Sequence, residues 1–344
     1  MENTKTLYQS VAISVRIVLR GIGQVMFQES AWTGLFFLIG IFWGSYQNHV
    51  PQVAWGAVVG VVASTVAGLM MGTNSSYIDG RSGLWGFNGV LVGCAFPTFL
   101  GNNWMMWLSL VLCAMITTWV RKGFNNVMAA WKVNSFTFPF VFMTWMFLFA
   151  ARYFQSLDPY GLATPEITVP EVGHLAAGFA DIIVYWLKGV AQVFLIDSWI
   201  TGIFFLVGLF LCSRWAAFWA ALSSAVALAI AILFKGDPDT LSAGLFGFSP
   251  VLTGIAVGCT FYKVNWRSAL WALAAVLDTV FIQAAMDTMM LPYGVPTLTA
   301  PFCITTWLFL LPRYNLDNRM TPDHSNWVKE LIEAGKPDSS PTKK

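Results

Sequence analysis

Long apolar runs separated by short polar turns recur along the chain, and their lengths predict helices that cross a membrane. A bilayer core of roughly 30 Å needs roughly 20 apolar residues per helix. Runs at about 9–27, 31–47, 52–72, 104–120 and 138–153 meet that need, and a second set follows at about 178–196, 198–213, 215–234, 266–286 and 300–313. Two more apolar pieces, about 84–98 and 244–258, are short and Gly-rich. Each reads as a re-entrant segment that enters and returns. The pattern predicts an all-α polytopic membrane protein of two halves, each with five transmembrane helices plus one re-entrant segment. The first half covers 1–157, an external linker with three prolines covers 158–177, the second half covers 178–313, and a cytoplasmic tail covers 314–344.

The halves repeat each other. Gly21–Gly40 matches Gly189–Gly208 at ten of twenty positions, Gly83–Gly93 matches Gly244–Gly254 at seven of eleven, and Thr137–Leu148 matches Thr299–Leu310 at seven of twelve. The offsets of 168, 161 and 162 keep the blocks in order, which duplication produces and composition does not. Five spans is an odd number, so the second half must enter from the opposite side. The result is an inverted repeat, whose solute path ordinarily lies where the halves meet.

Composition supports the membrane reading: 57% of residues are hydrophobic and 10% charged, against roughly 25% charged in soluble domains. The seventeen Trp and twenty-eight Phe suit interfaces and pore linings. A net charge of +2 from scattered residues forms no nucleic-acid patch. Arg16 and Arg20 interrupt the first apolar run and no small-residue cleavage site follows, which argues against a signal peptide. With ten spans and an internal N-terminus, Arg121, Lys122, Lys132, Lys235, Lys263, Arg267 and the tail from Arg313 face the cytoplasm. Arg81, Arg152 and Arg214 face outward, and Lys188 lies in a span. Both termini are then cytoplasmic, as the positive-inside rule asks.

Polar and aromatic residues repeated in both halves are the candidates for chemistry. Gln24 and Gln192, followed by Val25 and Val193, put amides in apolar spans, where they form an interhelical hydrogen bond or face a path. Phe87 and Phe248 follow the glycines of G-L-x-G-F and precede Leu91 and Leu252. Glycines there permit unwound backbone, tolerated at membrane depth only where it is buried in protein or lines a wet cavity. Thr137 and Thr299 either cap the helices opened by Pro-Phe or offer a hydroxyl pair in a narrow passage. Gly34, Gly40, Gly202 and Gly208 read as helix-packing positions. Cys94, Cys113, Cys212, Cys259 and Cys303 lack metal spacing and read as small buried hydrophobes.

His49, His174 and His324 fall in loops or the tail, and Glu29, Asp79 and Asp197 near span ends. Asp278 is the acid placed well inside a span, with Ile116 as its repeat partner. No paired intramembrane carboxylates, no nucleophile with a base and no nucleotide motif are visible, so neither an enzyme, a metal nor a cofactor is expected. The pattern fits a passive path for a small neutral solute.

In Gly21–Val25 (GIGQV), in 83–88 (GLWGFN) and in Thr-x-Pro-Phe at 137–140 and 299–302, the chain resembles the urea transporters over about residues 15–312. The resemblance implies a homotrimer, and a bacterial inner membrane is the expected location. Each protomer would have a pore between its inverted halves, with outer and inner urea sites about a narrower middle. It implies solute-facing roles for Gln24, Val25, Phe27, Phe87 and Leu91, and for Gln192, Val193, Phe248 and Leu252. Thr137 and Thr299 would form the central constriction. Leu195 stands where the first half has Phe27, and Ser249-Pro250 where it has Asn88-Gly89. Another short amide or ammonia is the nearest alternative solute. A coupled transporter would instead require Asp278.

Overall fold

The computed structural model describes residues 2–71, 79–167, 175–314 and 316, with side chains from residue 13 onward. His174, His324 and nearly all of the tail lie outside the described residues. The fold is helical, with no strand among the described residues. The first half holds α1 (Glu2–Gly23), α2 (Ala31–Gln47), α3 (Pro51–Leu69), α4 (Phe87–Phe99), α5 (Trp104–Met128) and α6 (Phe138–Ala151). The second half holds α7 (Phe179–Ala191), α8 (Trp199–Cys212), α9 (Arg214–Leu233), α10 (Phe248–Ile255), α11 (Trp266–Met290) and α12 (Ala300–Leu310).

Helix starts are set by residues that the two halves share. Ser30 and Ser198 accept hydrogen bonds from the backbone N–H of Thr33 and Thr201. Asn103 and Asn265 do the same for Met106 and Ser268. Such side-chain caps satisfy amides that the first helical turn leaves unpaired. Prolines near the starts of α6 and α12 cost nothing there, because no intrahelical donor is lost.

Length alone gives fewer crossings than the ten expected. Four helices are long and apolar enough among the described residues: Pro51–Leu69, Trp104–Trp131, Arg214–Leu233 and Trp266–Tyr293. The expected spans 9–27 and 31–47 form a pair bent by 78°, and 178–196 and 198–213 a pair bent by 70°. At each bend a short 3₁₀ turn ends on a left-handed residue, Phe27 (φ 62°) or Leu195 (φ 61°), which redirects the chain. The expected spans 138–153 and 300–313 are the short helices α6 and α12.

Contacts define two ends of the bundle. At one end Arg20 donates to the Arg81 carbonyl, Gln24 to the Ser82 carbonyl, and Arg121 pairs with Asp79. At the other, Gly101 N–H donates to the Asp158 carbonyl and Gly161 N–H to that of Phe99. Segment 84–98 therefore starts beside Arg121 and finishes beside the start of α5, a helix of roughly 27 Å between those points at 1.5 Å per residue. It runs from end to end and does not return, which corrects the re-entrant expectation. Hydropathy measures apolar length and is blind to direction.

Three basic residues change sides for the same reason. Arg81 and Arg214 share the end of Arg20, Arg121, Lys132 and Lys263, because Gly83 packs on Gly21, and Thr33 bonds to Gly208, near the end of α8 that leads into Arg214. Lys235 sits at the opposite end with Arg152 and Lys188, since Gly236 packs on Phe246 beyond the Ala243 carbonyl that Gln192 holds.

The halves lock together through matched contacts. Thr33 Oγ1 donates to the Gly208 carbonyl at 2.8 Å, and Thr201 Oγ1 to that of Gly40 at 2.7 Å. Trp145 Nε1 donates to the Pro296 carbonyl and Trp307 Nε1 to that of Asn134. Phe37 packs on its own equivalent, Phe205, with ring centroids 4.8 Å apart. Of the cysteines, Cys94, Cys113 and Cys303 are buried as expected, Cys259 is half-buried, and Cys212, on the last turn of α8, is exposed.

Candidate functional site

A cavity of about 270 Å³ opens at the Arg121 end and narrows to Thr137. Its wall combines Gln24, Val25, Phe27, Leu84, Phe87 and Thr137 of the first half with Phe261 and Phe302 of the second. Gly83 allows this geometry. Its φ of +80° and its approach to the backbone of Arg20 and Gly21 leave no room for a side chain, and Gly244 (φ +73°) repeats it against Lys188 and Gly189. The turns 82–86 and 243–247 therefore stay unwound, and α4 and α10 start at Phe87 and Phe248.

Gln24 is half-buried, and its Nε2 donates to the Ser82 carbonyl at 2.9 Å. The amide oxygen accepts no hydrogen bond from the described residues, so it remains available as an acceptor at the cavity wall. Gln192 Nε2 makes the matching bond to the Ala243 carbonyl, also at 2.9 Å. Phe27 stands edge-on to Phe136, Phe261 and Phe302, with centroids 6.3, 5.7 and 6.1 Å away. These rings and Phe87 give the cavity apolar walls on several sides.

The narrow end is closed by a contact between equivalent residues. Thr137 Oγ1 and Thr299 Oγ1 lie 2.7 Å apart, and Thr137 Oγ1 is 3.3 Å from Cys303 Sγ. Both threonines are buried, and neither hydroxyl makes a cap hydrogen bond to its own helix. The capping alternative is therefore not what these side chains do.

Beyond the threonines, Gln192, Val193, Phe248 and Leu252 are buried. A second cavity of about 200 Å³ at the opposite end is lined by Phe99, Asp287, Pro296 and Thr297, among others. Asp287, Pro296 and Thr297 are the repeat equivalents of Asn125, Asn134 and Ser135 in the first cavity. Of the residues expected at the site, Gln24, Val25, Phe27, Phe87 and Thr137 meet in the first cavity, and Thr299 touches Thr137. Leu91 and Leu252 are fully buried and line neither cavity, nor do Gln192, Val193 and Phe248.

Nothing in the residue pattern singles out Phe136, Asn125, Asn134, Ser135 or Arg121, which also line the first cavity. Phe302 was within reach, since it is the Phe of Thr-x-Pro-Phe. The available chemistry consists of amide, carbonyl and hydroxyl groups set among aromatic rings, with the Arg121–Asp79 ion pair at the wall. No group of three His, Cys, Asp or Glu residues among the described residues could hold a metal ion.

The family model described as urea transporter matches residues 15–314. Urea transporter 1 of Ovis aries is 33% identical over 298 residues, covering 86% of this chain and 76% of that protein. Urea transporter 1 of Capra hircus gives the same figures. The Mus musculus protein of the same name is 31% identical over 297 residues, with the same coverage of both chains.

Proposed function

Since the chain belongs to the urea transporter family, we propose that it passes urea passively along a path between its two halves. It is a membrane transport protein and not an enzyme. The carrying observation is the Thr137–Thr299 contact, 2.7 Å between halves, at the closed end of a cavity walled by Gln24, Phe27 and Phe87. Urea is flat, with one carbonyl acceptor and in-plane N–H donors. The Gln24 oxygen takes N–H groups while the aromatic walls admit the flat molecule. At the narrow point both threonine hydroxyls exchange their mutual bond for bonds to urea. Small hydrated ions stay out because nothing in such a path offsets their dehydration.

The halves form an inverted repeat on this reading, with Gln192, Val193, Phe248 and Leu252 supplying a second site beyond Thr299. Support comes from the paired bonds Thr33–Gly208 and Thr201–Gly40, and Trp145–Pro296 and Trp307–Asn134. In each pair the partners change places between halves, as a two-fold relation requires. The end bearing Arg20, Arg81, Arg121, Lys122, Lys132, Arg214, Lys263, Arg267 and Arg313 is cytoplasmic, since the other carries Arg152, Lys188 and Lys235. Both termini belong to that cytoplasmic end. The division at 158–177 makes the linker external. A bacterial inner membrane suits a helical bundle, whereas outer membranes take barrels. The homotrimer belongs to the same proposal, and native mass spectrometry of the detergent-solubilised protein tests it.

Labelled urea uptake into proteoliposomes, with and without Na⁺ or pH gradients, tests the mechanism. Flux independent of either gradient is expected, and Asp278 lines neither cavity. Flux that requires a gradient contradicts passive transport. Formamide or ammonia outcompeting urea would transfer the proposal to those solutes.

A further inference from the structure

Guanidinium poses a problem that the path's shape cannot solve. It is a planar cation of nearly the same outline as urea, so a slot that admits one admits the other. It is more weakly hydrated than an ammonium ion, and it favours aromatic faces. The Phe27, Phe87 and Phe302 walls would therefore attract it. Dehydration excludes small ions, but it is a weak barrier to this one.

Arg121 occupies the place where such a cation would settle. It lines the first cavity, is 7% exposed, and projects from α5 towards the turn that precedes α4. Its guanidinium lies over the Trp85 ring at 4.8 Å and the Phe87 ring at 5.4 Å. Nη1 is 3.5 Å from Asp79 Oδ2 and makes no hydrogen bond to the described residues. The Asp79 side chain is 30% exposed against 8% for that of Arg121. The pair therefore points its positive member at the slot ring and its negative member at the rim. The repeat equivalent of Arg121 is Gln283, whose Nε2 donates to the Leu245 carbonyl. The opposite mouth carries the acidic Asp287 in place of Asn125. Arg152 at that mouth bonds to the Ala163 and Gly294 carbonyls, whereas Arg121 lies over the rings of the path itself.

We propose that Arg121, held by Asp79 and stacked on Trp85 and Phe87, is the specificity-determining residue that lets the path distinguish urea from guanidinium. Arg121 fills the aromatic face that a guanidinium would use, and its fixed charge repels a second one. Neutral urea meets neither obstacle. The inference rests on the path proposed above.

The test measures urea, guanidinium and N-methylurea fluxes in the same proteoliposomes. Arg121→Gln, which makes the first half like the second, should raise the guanidinium-to-urea ratio at least about tenfold and leave the N-methylurea-to-urea ratio unchanged. Arg121→Lys keeps the charge and should keep guanidinium out. An unchanged guanidinium ratio in Arg121→Gln overturns the proposal. So does a parallel rise for N-methylurea, which would mean a widened slot. If Arg121→Gln passes no urea, Asp79→Asn/Arg121→Gln, which leaves no unpaired charge, is read by the same two ratios. Loss of urea flux there too would make Arg121 structural and overturn the proposal. Absence of urea flux in the unaltered protein would instead refute the path itself.

Discussion

Replacing both Thr137 and Thr299 by valine removes the two hydroxyls at the narrow point while keeping the shape of the side chains. The hydroxyls lie 2.7 Å apart and are buried, at 2% and 3% exposure, so solvent cannot substitute for them. A polar group of urea without a partner there costs roughly 1–3 kcal/mol, and two such groups go unmet in the double variant. About 1 kcal/mol is returned, because no Thr–Thr bond has to break. The net barrier rises by about 3 kcal/mol, which lowers urea flux about 150-fold. Stopped-flow light scattering on proteoliposomes with matched protein content measures this, and a melting profile in detergent shows whether the variant is folded. A folded double variant that conducts urea at the unaltered rate would refute the hydroxyl exchange.

Gln24→Leu and Gln192→Leu should each reduce urea flux by roughly 5- to 30-fold, from one lost acceptor at about 1–2 kcal/mol; unchanged flux in both would remove the amides from the path. Gly34→Ala and Gly202→Ala put a methyl onto the carbonyl oxygens of Leu19 and Leu187, so each should lower the melting temperature or prevent folding, at a cost of about 1–3 kcal/mol or more. Gly123→Ala meets nothing within 4 Å, and its melting temperature should hold or rise, helped by roughly 1 kcal/mol of helix propensity. Trp145→Phe and Trp307→Phe each lose one bond between halves and should destabilise by about 1 kcal/mol apiece in a denaturation series.

Most of the architecture was legible because duplication wrote it twice. Thr137 and Thr299 stood out as equivalents in the repeated blocks, and the two hydroxyls meet at 2.7 Å. Gln24 and Gln192 were legible because an amide in an apolar run needs a partner, and each has a carbonyl. What hydropathy could not provide was direction. Segment 84–98 is short and apolar whether it returns or crosses, and only its bonds at residues 81, 82, 99 and 101 separate the two cases. Arg121 read as one more basic residue at a helix end, because its rings, Trp85 and Phe87, lie more than thirty positions away in sequence. Phe136 had no signal at all, since its place in the cavity depends on a left-handed turn (φ 50°) next to Thr137. Leu91 and Leu252 match in the repeat and are fully buried on α4 and α10.

Stopped-flow urea permeability of proteoliposomes, compared with empty vesicles of the same lipid, bears most directly on the path between the halves. The account predicts urea efflux well above the empty-vesicle rate, unaffected by Na⁺ and by a pH gradient, and strongly reduced in Thr137→Val/Thr299→Val. Permeability no higher than that of empty vesicles, with the purified protein folded and inserted, would contradict it.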